Sequence, residues 1–123
     1  MKNILFVSPK ENRLKEIANV FLEKKEYNLF FAETGKEVLE KMKEIFFTLA
    51  VIDESLDDCS GIELAENIIK TNAMTNTALI SSMPDSKFHD ITEGLGVLMK
   101  LPAPPLKENG IELEIYLKKI LGM

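Results

Sequence analysis

The sequence predicts an α/β fold in which a doubly wound parallel sheet of five strands is flanked by five helices. Two observations carry this prediction: five short apolar runs, and amphipathic segments that alternate with them. Continuous apolar runs are typical of parallel strands that are covered on both faces. The chain has 123 residues, a length that suits one domain, so we expect a single domain over residues 1–123.

The predicted strands are the apolar runs at residues 4–7, 29–32, 49–52, 78–80 and 97–99. Apolar side chains at helical spacing predict the helices between and after them. These stripes are Leu14, Ile17, Ala18, Phe21 and Leu22; Val38, Leu39 and Met42; Ile62, Ala65, Ile68 and Ile69; Phe88, Ile91 and Leu95; and Leu113, Leu117, Ile120 and Leu121. Ser60 and Glu63 form a capping-box pattern, which predicts the start of the third helix.

Composition excludes several classes of function. The formal net charge is −5, with 20 acidic and 15 basic residues, which argues against a nucleic-acid surface because phosphate contacts need clustered Lys and Arg. The single cysteine, Cys59, leaves no internal disulfide and fits a reducing compartment. No apolar run has the length of a membrane span, and the N-terminal residues lead into a strand rather than a signal peptide. We therefore expect a cytoplasmic domain with no membrane or nucleic-acid partner.

Asp53 is the leading candidate for function because it closes the third apolar run and is followed by a turn-forming stretch. In open α/β sheets, ligands and chemistry are placed in the crevice beyond the carboxyl ends of the strands. Ser81 closes the fourth run in the same way. The plainer interpretation is that Asp53 is a polar strand terminus or a helix cap, and that Ser81 and Ser82 satisfy backbone groups in a turn.

These residues give the chain a resemblance to the receiver domain of two-component response regulators, from Lys2 to Leu121. Asp53 lies where that family has its phosphoacceptor aspartate, Gly61 where it has a loop glycine, and Ser81 where it has a hydroxyl. Residues 33–39 resemble the opening of the family's second helix. The resemblance implies a flavodoxin-like three-layer sandwich with strand order 2-1-3-4-5.

Pro102 matches the family's proline after the fifth strand, so the resemblance also implies a cis peptide bond between Leu101 and Pro102. It implies that Asp53 takes a phosphoryl group from a histidine kinase or phosphotransfer protein, with Ser81 bonded to a phosphoryl oxygen, in a protein that is not itself an enzyme. An output domain, a partner protein or a second copy would bind the face made by helix 4, strand 5 and helix 5. Whether the chain stands alone or belongs to a larger protein is open.

The departures from the family concern charge. Ser8 and Pro9 stand where the family has two acidic residues that help bind Mg²⁺, and Leu101 stands where it has a lysine. Lys100, one residue earlier, should point to the opposite face of the strand. A weak Mg²⁺ site would then rest on the Asp53 carboxylate and the backbone carbonyl of Ser55.

Carboxylates from Glu11, Asp57 or Asp58 could compensate for the missing acidic pair. Two functions therefore remain: a receiver phosphorylated at Asp53 with a weakened Mg²⁺ pocket, and a degenerate pseudo-receiver that acts as a phosphorylation-independent protein–protein interaction module.

Other classes that use a similar fold lack an essential group here. A haloacid-dehalogenase-type phosphatase needs a second aspartate two residues after the first, where this chain has Ser55. A flavodoxin-type FMN binder needs a glycine- and hydroxyl-rich loop after the first strand, and residues 8–13 contain no glycine. No P-loop fingerprint occurs either.

Overall fold

The computed structural model describes residues 1–10 and 12–122. Strands and helices alternate along these residues as predicted, in five β–α repeats. The elements are β1 Lys2–Val7, α1 Lys15–Lys24, β2 Tyr27–Ala32, α2 Gly35–Met42, β3 Leu49–Ile52, α3 Gly61–Thr71, β4 Asn76–Ile80, α4 Asp85–Thr92, β5 Val97–Leu101 and α5 Lys107–Ile120.

The five strands form one parallel sheet in the order β2-β1-β3-β4-β5, which confirms the predicted topology. Val7 of β1 lies beside Ile52 of β3, and Ile52 lies beside Leu79 of β4. The carboxyl ends of these three neighbouring strands therefore lie side by side. This register places the loops after β1, β3 and β4 around one crevice at that edge of the sheet.

Two apolar layers cover the sheet. One contains Ile17 of α1 and Leu113 and Leu117 of α5, all fully buried. The other contains Val38 of α2 and Leu64 of α3, on the opposite face. The helix α3 begins with the predicted capping box, since the Ser60 hydroxyl accepts from the Glu63 amide while the Glu63 carboxylate accepts from the Ser60 amide.

Three residues that the apolar stripes placed in the core are exposed: Leu22 at 60%, Ile91 at 43% and Ile120 at 47%. Viewed down the helix axis, each of these residues lies at one side of its apolar stripe. The buried part of each helix is therefore narrower than the stripe suggested. In α4, for example, the buried residues are Phe88 and Thr92, one turn apart. The predicted stripes were thus right in their centres and wrong at these edges.

The predicted cis peptide bond at Leu101–Pro102 is wrong, because the cis bond lies two residues later, between Ala103 and Pro104. Strand pairing continues to the end of β5, where the Leu101 carbonyl accepts from the Ser81 amide at 3.0 Å. The chain therefore leaves the sheet only after Leu101. Within the described residues, no helix has both the length and the apolar character needed to cross a membrane.

Candidate functional site

Asp53 follows β3 directly, and its amide donates to the Val7 carbonyl at 2.9 Å, so the neighbouring strand fixes its backbone. The residue is only 4% exposed. The first residue of α3, Gly61, passes so close that an added Cβ would lie 2.5 Å from the Asp53 carbonyl oxygen. Only glycine allows this approach, which explains the glycine in the turn sequence after β3.

Protein donors engage both oxygens of the Asp53 carboxylate. The Ser8 hydroxyl donates to Oδ2 at 2.7 Å, and the Glu54 amide donates to Oδ1 at 2.7 Å. Nε of Arg13 lies 2.9 Å from Oδ2 and 3.0 Å from Oδ1, between the two oxygens. A buried carboxylate needs such partners, and hydrogen bonds to a charged group are stronger than neutral ones.

Arg13 and Glu54 belong to this site and were not predicted from the sequence, and Arg13 supplies its cation. Arg13 lies in the turn before α1, where its amide donates to the Lys10 carbonyl at 3.0 Å, and its side chain is 27% exposed. The available signal was a cation five residues after Ser8, in the loop that must pass over the Asp53 end of the sheet. Loop conformation decides whether such a side chain reaches inward, and apolar periodicity carries no information on that point.

Ser81 lies at the end of β4 and is 4% exposed, as expected for the crevice. Its hydroxyl accepts from the Met83 amide at 3.1 Å, within its own turn. The residue that bridges the two loops is Glu54, whose Oε2 accepts from both the amide and the hydroxyl of Ser82, each at 2.8 Å. The bond from the Ser82 amide is the main reason that the pKa of Glu54 is lowered.

The acidic residues that could have compensated for the missing pair are directed elsewhere or lie outside the described residues, as Glu11 does. The Asp58 carboxylate accepts from the Gly35 amide at 2.9 Å and from the Lys36 amide at 3.0 Å, at the N-terminus of α2. These two bonds lower the pKa of Asp58. Asp57 is exposed in the loop.

Leu101, which the resemblance set against the family's lysine, is fully buried in the layer beneath α1 and α5 and is therefore a core residue here. Lys100 points to the other side, as predicted, and its Nζ contacts Oδ1 of Asp85 at 2.7 Å. That bond is the main cause of the lowered pKa of Asp85. It joins β5 to the first turn of α4.

Within residues 1–10 and 12–122, no three His, Cys, Asp or Glu side chains are grouped so that they could hold a metal ion. Ser55 is exposed and forms an isolated antiparallel bridge with Ser60. Its carbonyl as a metal ligand stays a prediction. Cys59 packs beside Gly35 and Asp58, and burial raises the pKa of its thiol.

Comparison with known proteins adds the fold family. No protein-family model matches the chain, and no curated protein matches it. A signal receiver domain of an HD domain-containing protein from Pseudomonas fluorescens Pf-5 gives a TM-score of 0.80 at 22% identity, over 98% of this chain and 90% of that one. A CheY-like response regulator receiver domain from Methanospirillum hungatei JF-1 gives 0.78 at 24% identity, over 97% and 98%.

The beryllofluoride-activated NtrC4 receiver domain, solved as a dimer, gives a TM-score of 0.81 at 22% identity, over 97% of this chain and 98% of that one. At these identities the likeness establishes the fold. The chain has the receiver-domain fold of response regulators, and its site must be judged from its own residues.

Proposed function

We propose that this chain is a receiver-fold signalling module that acts through protein contacts, without phosphorylation of Asp53. The observation that carries the proposal is the closed set of donors on the Asp53 carboxylate, from Ser8, Arg13 and the Glu54 amide. A phosphoacceptor must present a free oxygen lone pair to the incoming phosphorus. Here both oxygens are engaged and the residue is 4% exposed, so attack would first require the ion pair to open.

The described residues do not fit a Mg²⁺ ion. Magnesium prefers near-octahedral oxygen ligation, usually with one or two carboxylates and several waters. The Asp53 carboxylate faces a guanidinium instead, and the hydroxyl of Ser8 uses its proton to bond Oδ2. A second cation at the same carboxylate would be repelled by Arg13, because like charges a few ångströms apart in a partly buried site interact strongly.

The ion pair suits a structural role in a signalling module. Arg13 belongs to the turn before α1 and Asp53 to the end of β3, so their contact fixes the start of α1 over the sheet. The planar guanidinium of an arginine matches the geometry of a carboxylate, which makes the contact specific in direction. Such a site supports one conformation rather than two states.

The face formed by α4, β5 and α5 is the proposed contact surface. Its two helices carry exposed apolar side chains, Ile91 at 43% on α4 and Tyr116 at 43% and Ile120 at 47% on α5. Exposed apolar side chains of this kind can form the centre of a protein interface. We propose that an output domain, a partner protein or a second copy of the chain binds there, and the dimeric NtrC4 receiver domain is one fold neighbour that self-associates.

A second candidate is the conventional one, in which Asp53 accepts a phosphoryl group from a histidine kinase or phosphotransfer protein. One observation favours it. Arg13 is a cation beside the acceptor with a side chain that is 27% exposed, so it could swing out and then neutralise the phosphoryl charge. In both candidates the chain is a signalling module and not an enzyme.

Intact-mass analysis after incubation with acetyl phosphate, with and without Mg²⁺, separates the two candidates. We expect no adduct on the wild-type chain. A Mg²⁺-dependent phosphate adduct that disappears in Asp53→Ala would overturn the proposal in favour of the conventional receiver. The doubly substituted Ser8→Asp/Arg13→Ala chain is the gain-of-function control, because it restores a carboxylate and frees the acceptor.

A further inference from the structure

The loops after β3 and β4 leave the sheet side by side, because Ile52 of β3 pairs with Leu79 of β4. A group attached to Asp53 would therefore meet the loop that joins β4 to α4. That loop already contacts an anion from this side of the crevice. Oε2 of Glu54 accepts from the amide and the hydroxyl of Ser82, each at 2.8 Å.

The backbone of Glu54 is held in place for this contact. Its carbonyl accepts from the amide of Gly61, the first residue of α3, at 3.0 Å, and its amide bonds Oδ1 of Asp53. A side chain that extends from a fixed backbone loses less entropy when it binds. The Ser82 amide, together with the nearby charge of Arg13, lowers the pKa of Glu54, so the carboxylate is ionised at neutral pH.

We infer that Glu54 is a built-in anion that holds the loop between β4 and α4 where a phosphoryl group on Asp53 would otherwise act. Both groups would present negatively charged oxygens to the donors of that loop, and such charge-assisted bonds are the stronger kind. The inference rests on the proposed function, because a loop that phosphorylation does not control needs another fixed partner. Here that partner is one residue beyond the acceptor position.

The consequence concerns α4. We call the contact between the Glu54 carboxylate and Ser82 the clamp. Next to it, the Ser81 hydroxyl accepts from the Met83 amide. The helix α4 begins at Asp85, three residues after Ser82. Lys100 bonds Asp85 from β5. The clamp therefore sets the position from which α4 starts, and with it the face of α4, β5 and α5, in the absence of phosphate.

Amide hydrogen exchange measured by NMR on the whole chain tests the clamp. In Glu54→Ala we expect the Ser82 and Met83 amides to exchange about tenfold faster or more, since the loop loses both bonds to the carboxylate. The matched control is Glu66→Ala, which removes an exposed carboxylate from α3 and should leave both amides unchanged. Unchanged exchange in Glu54→Ala overturns the inference.

Ser82→Ala is the second variant, and it keeps the inference testable if Glu54→Ala does not fold. It removes the hydroxyl donor and leaves the amide, so we expect a smaller rise in exchange at residue 82. If the exchange rate at residue 82 does not rise in Ser82→Ala, the Ser82 hydroxyl does not share with the Ser82 amide in holding the loop. Failure of the clamp is separable from failure of the proposed function, because acetyl phosphate reports on Asp53 by mass whereas hydrogen exchange reports on the loop.

Discussion

Two carboxylates are buried within the described residues, at opposite edges of the sheet. Asp53 follows the carboxyl end of β3 and is 4% exposed. Glu114 lies on α5 and is 2% exposed, and its carboxylate accepts from the hydroxyl of Tyr27, the first residue of β2. Both are paired, as buried charges must be, but their partners differ in kind.

Asp53 is in direct contact with a cation, since Nε of Arg13 lies 2.9 Å from Oδ2. Glu114 has a neutral donor in contact, the Tyr27 hydroxyl at 2.6 Å, while the ammonium groups of Lys118 and Lys24 lie 3.5 and 3.9 Å away. The difference shows that burial alone does not mark a functional carboxylate. Asp53 is a candidate because it lies beyond the carboxyl end of a strand where several loops converge, whereas Glu114 joins a helix to a strand.

The largest expected effect is on the ion pair. Arg13→Ala should lower the free energy of unfolding by about 3 kcal/mol, because it leaves the buried Asp53 carboxylate without its charge partner. Urea denaturation measures the change. A loss below about 1 kcal/mol would mean that the pair behaves as an ordinary surface ion pair.

The reverse substitution is the matched control. Asp53→Ala should cost less than Arg13→Ala, because the freed guanidinium belongs to a side chain that is 27% exposed and can reach water. The double variant should be more stable than the sum of the two single losses predicts. Equal losses in the two single variants would show that the deeper burial of Asp53 does not decide the cost of losing the partner.

The second effect concerns the other carboxylate. Tyr27→Phe removes the donor in contact with Glu114 and should lower the free energy of unfolding by about 2 kcal/mol, since the buried acceptor loses a charged hydrogen bond. Urea denaturation measures it again. Tyr116→Phe, at a tyrosine that is 43% exposed, should change stability by less than about 0.5 kcal/mol. Similar losses in the two variants would show that the hydrogen bond from Tyr27 to Glu114 does not stabilise the fold.

The fold was predictable because it depends on apolar periodicity, which the sequence displays directly. The strand at residues 49–52 was predicted with its observed bounds, whereas β5 extends to Leu101, past Lys100, which interrupts the apolar run. Lys100 could be accommodated because its ammonium group reaches the Asp85 carboxylate at the start of α4. Strand bounds that depend on such side-chain positions are not encoded in periodicity.

The site was predictable only in part. The position of Asp53 at a strand end follows from the pattern, and Ser81 follows in the same way, but the partners of Asp53 depend on loop conformation. Glu114 did carry a signal, since it lies four residues after Gly110 and three before Leu117, on the buried stripe of α5. An acidic residue on such a stripe predicts a buried partner, and here that partner is Tyr27.

Smaller effects should appear in the pH dependence of stability, where the Asp53 region contributes to the acid side and the Glu114 region to the alkaline side. The pKa of Glu54 is lowered in the folded chain, chiefly by the Ser82 amide. A lowered folded pKa gives stability that is complete above the ordinary value of 4.5 and is lost as pH falls through the folded pKa. Glu54→Gln should therefore show a shallower fall in Tm between about pH 6 and pH 3 than Glu66→Gln does.

The alkaline arm should depend on Tyr27, whose pKa is raised by burial and by the hydrogen bond to Glu114. Because the folded chain holds the phenol proton more tightly, this contribution is complete below the ordinary value of 10.0 and is lost as pH rises above it. The raised pKa of Lys118, caused chiefly by its bond to Glu26, acts in the same direction. Tyr27→Phe should therefore lose less Tm than the wild-type chain between about pH 9 and pH 11. An equal alkaline fall in both chains would show that Tyr27 does not govern this arm, and the contrast between the two carboxylate regions would then rest on the ion pair alone.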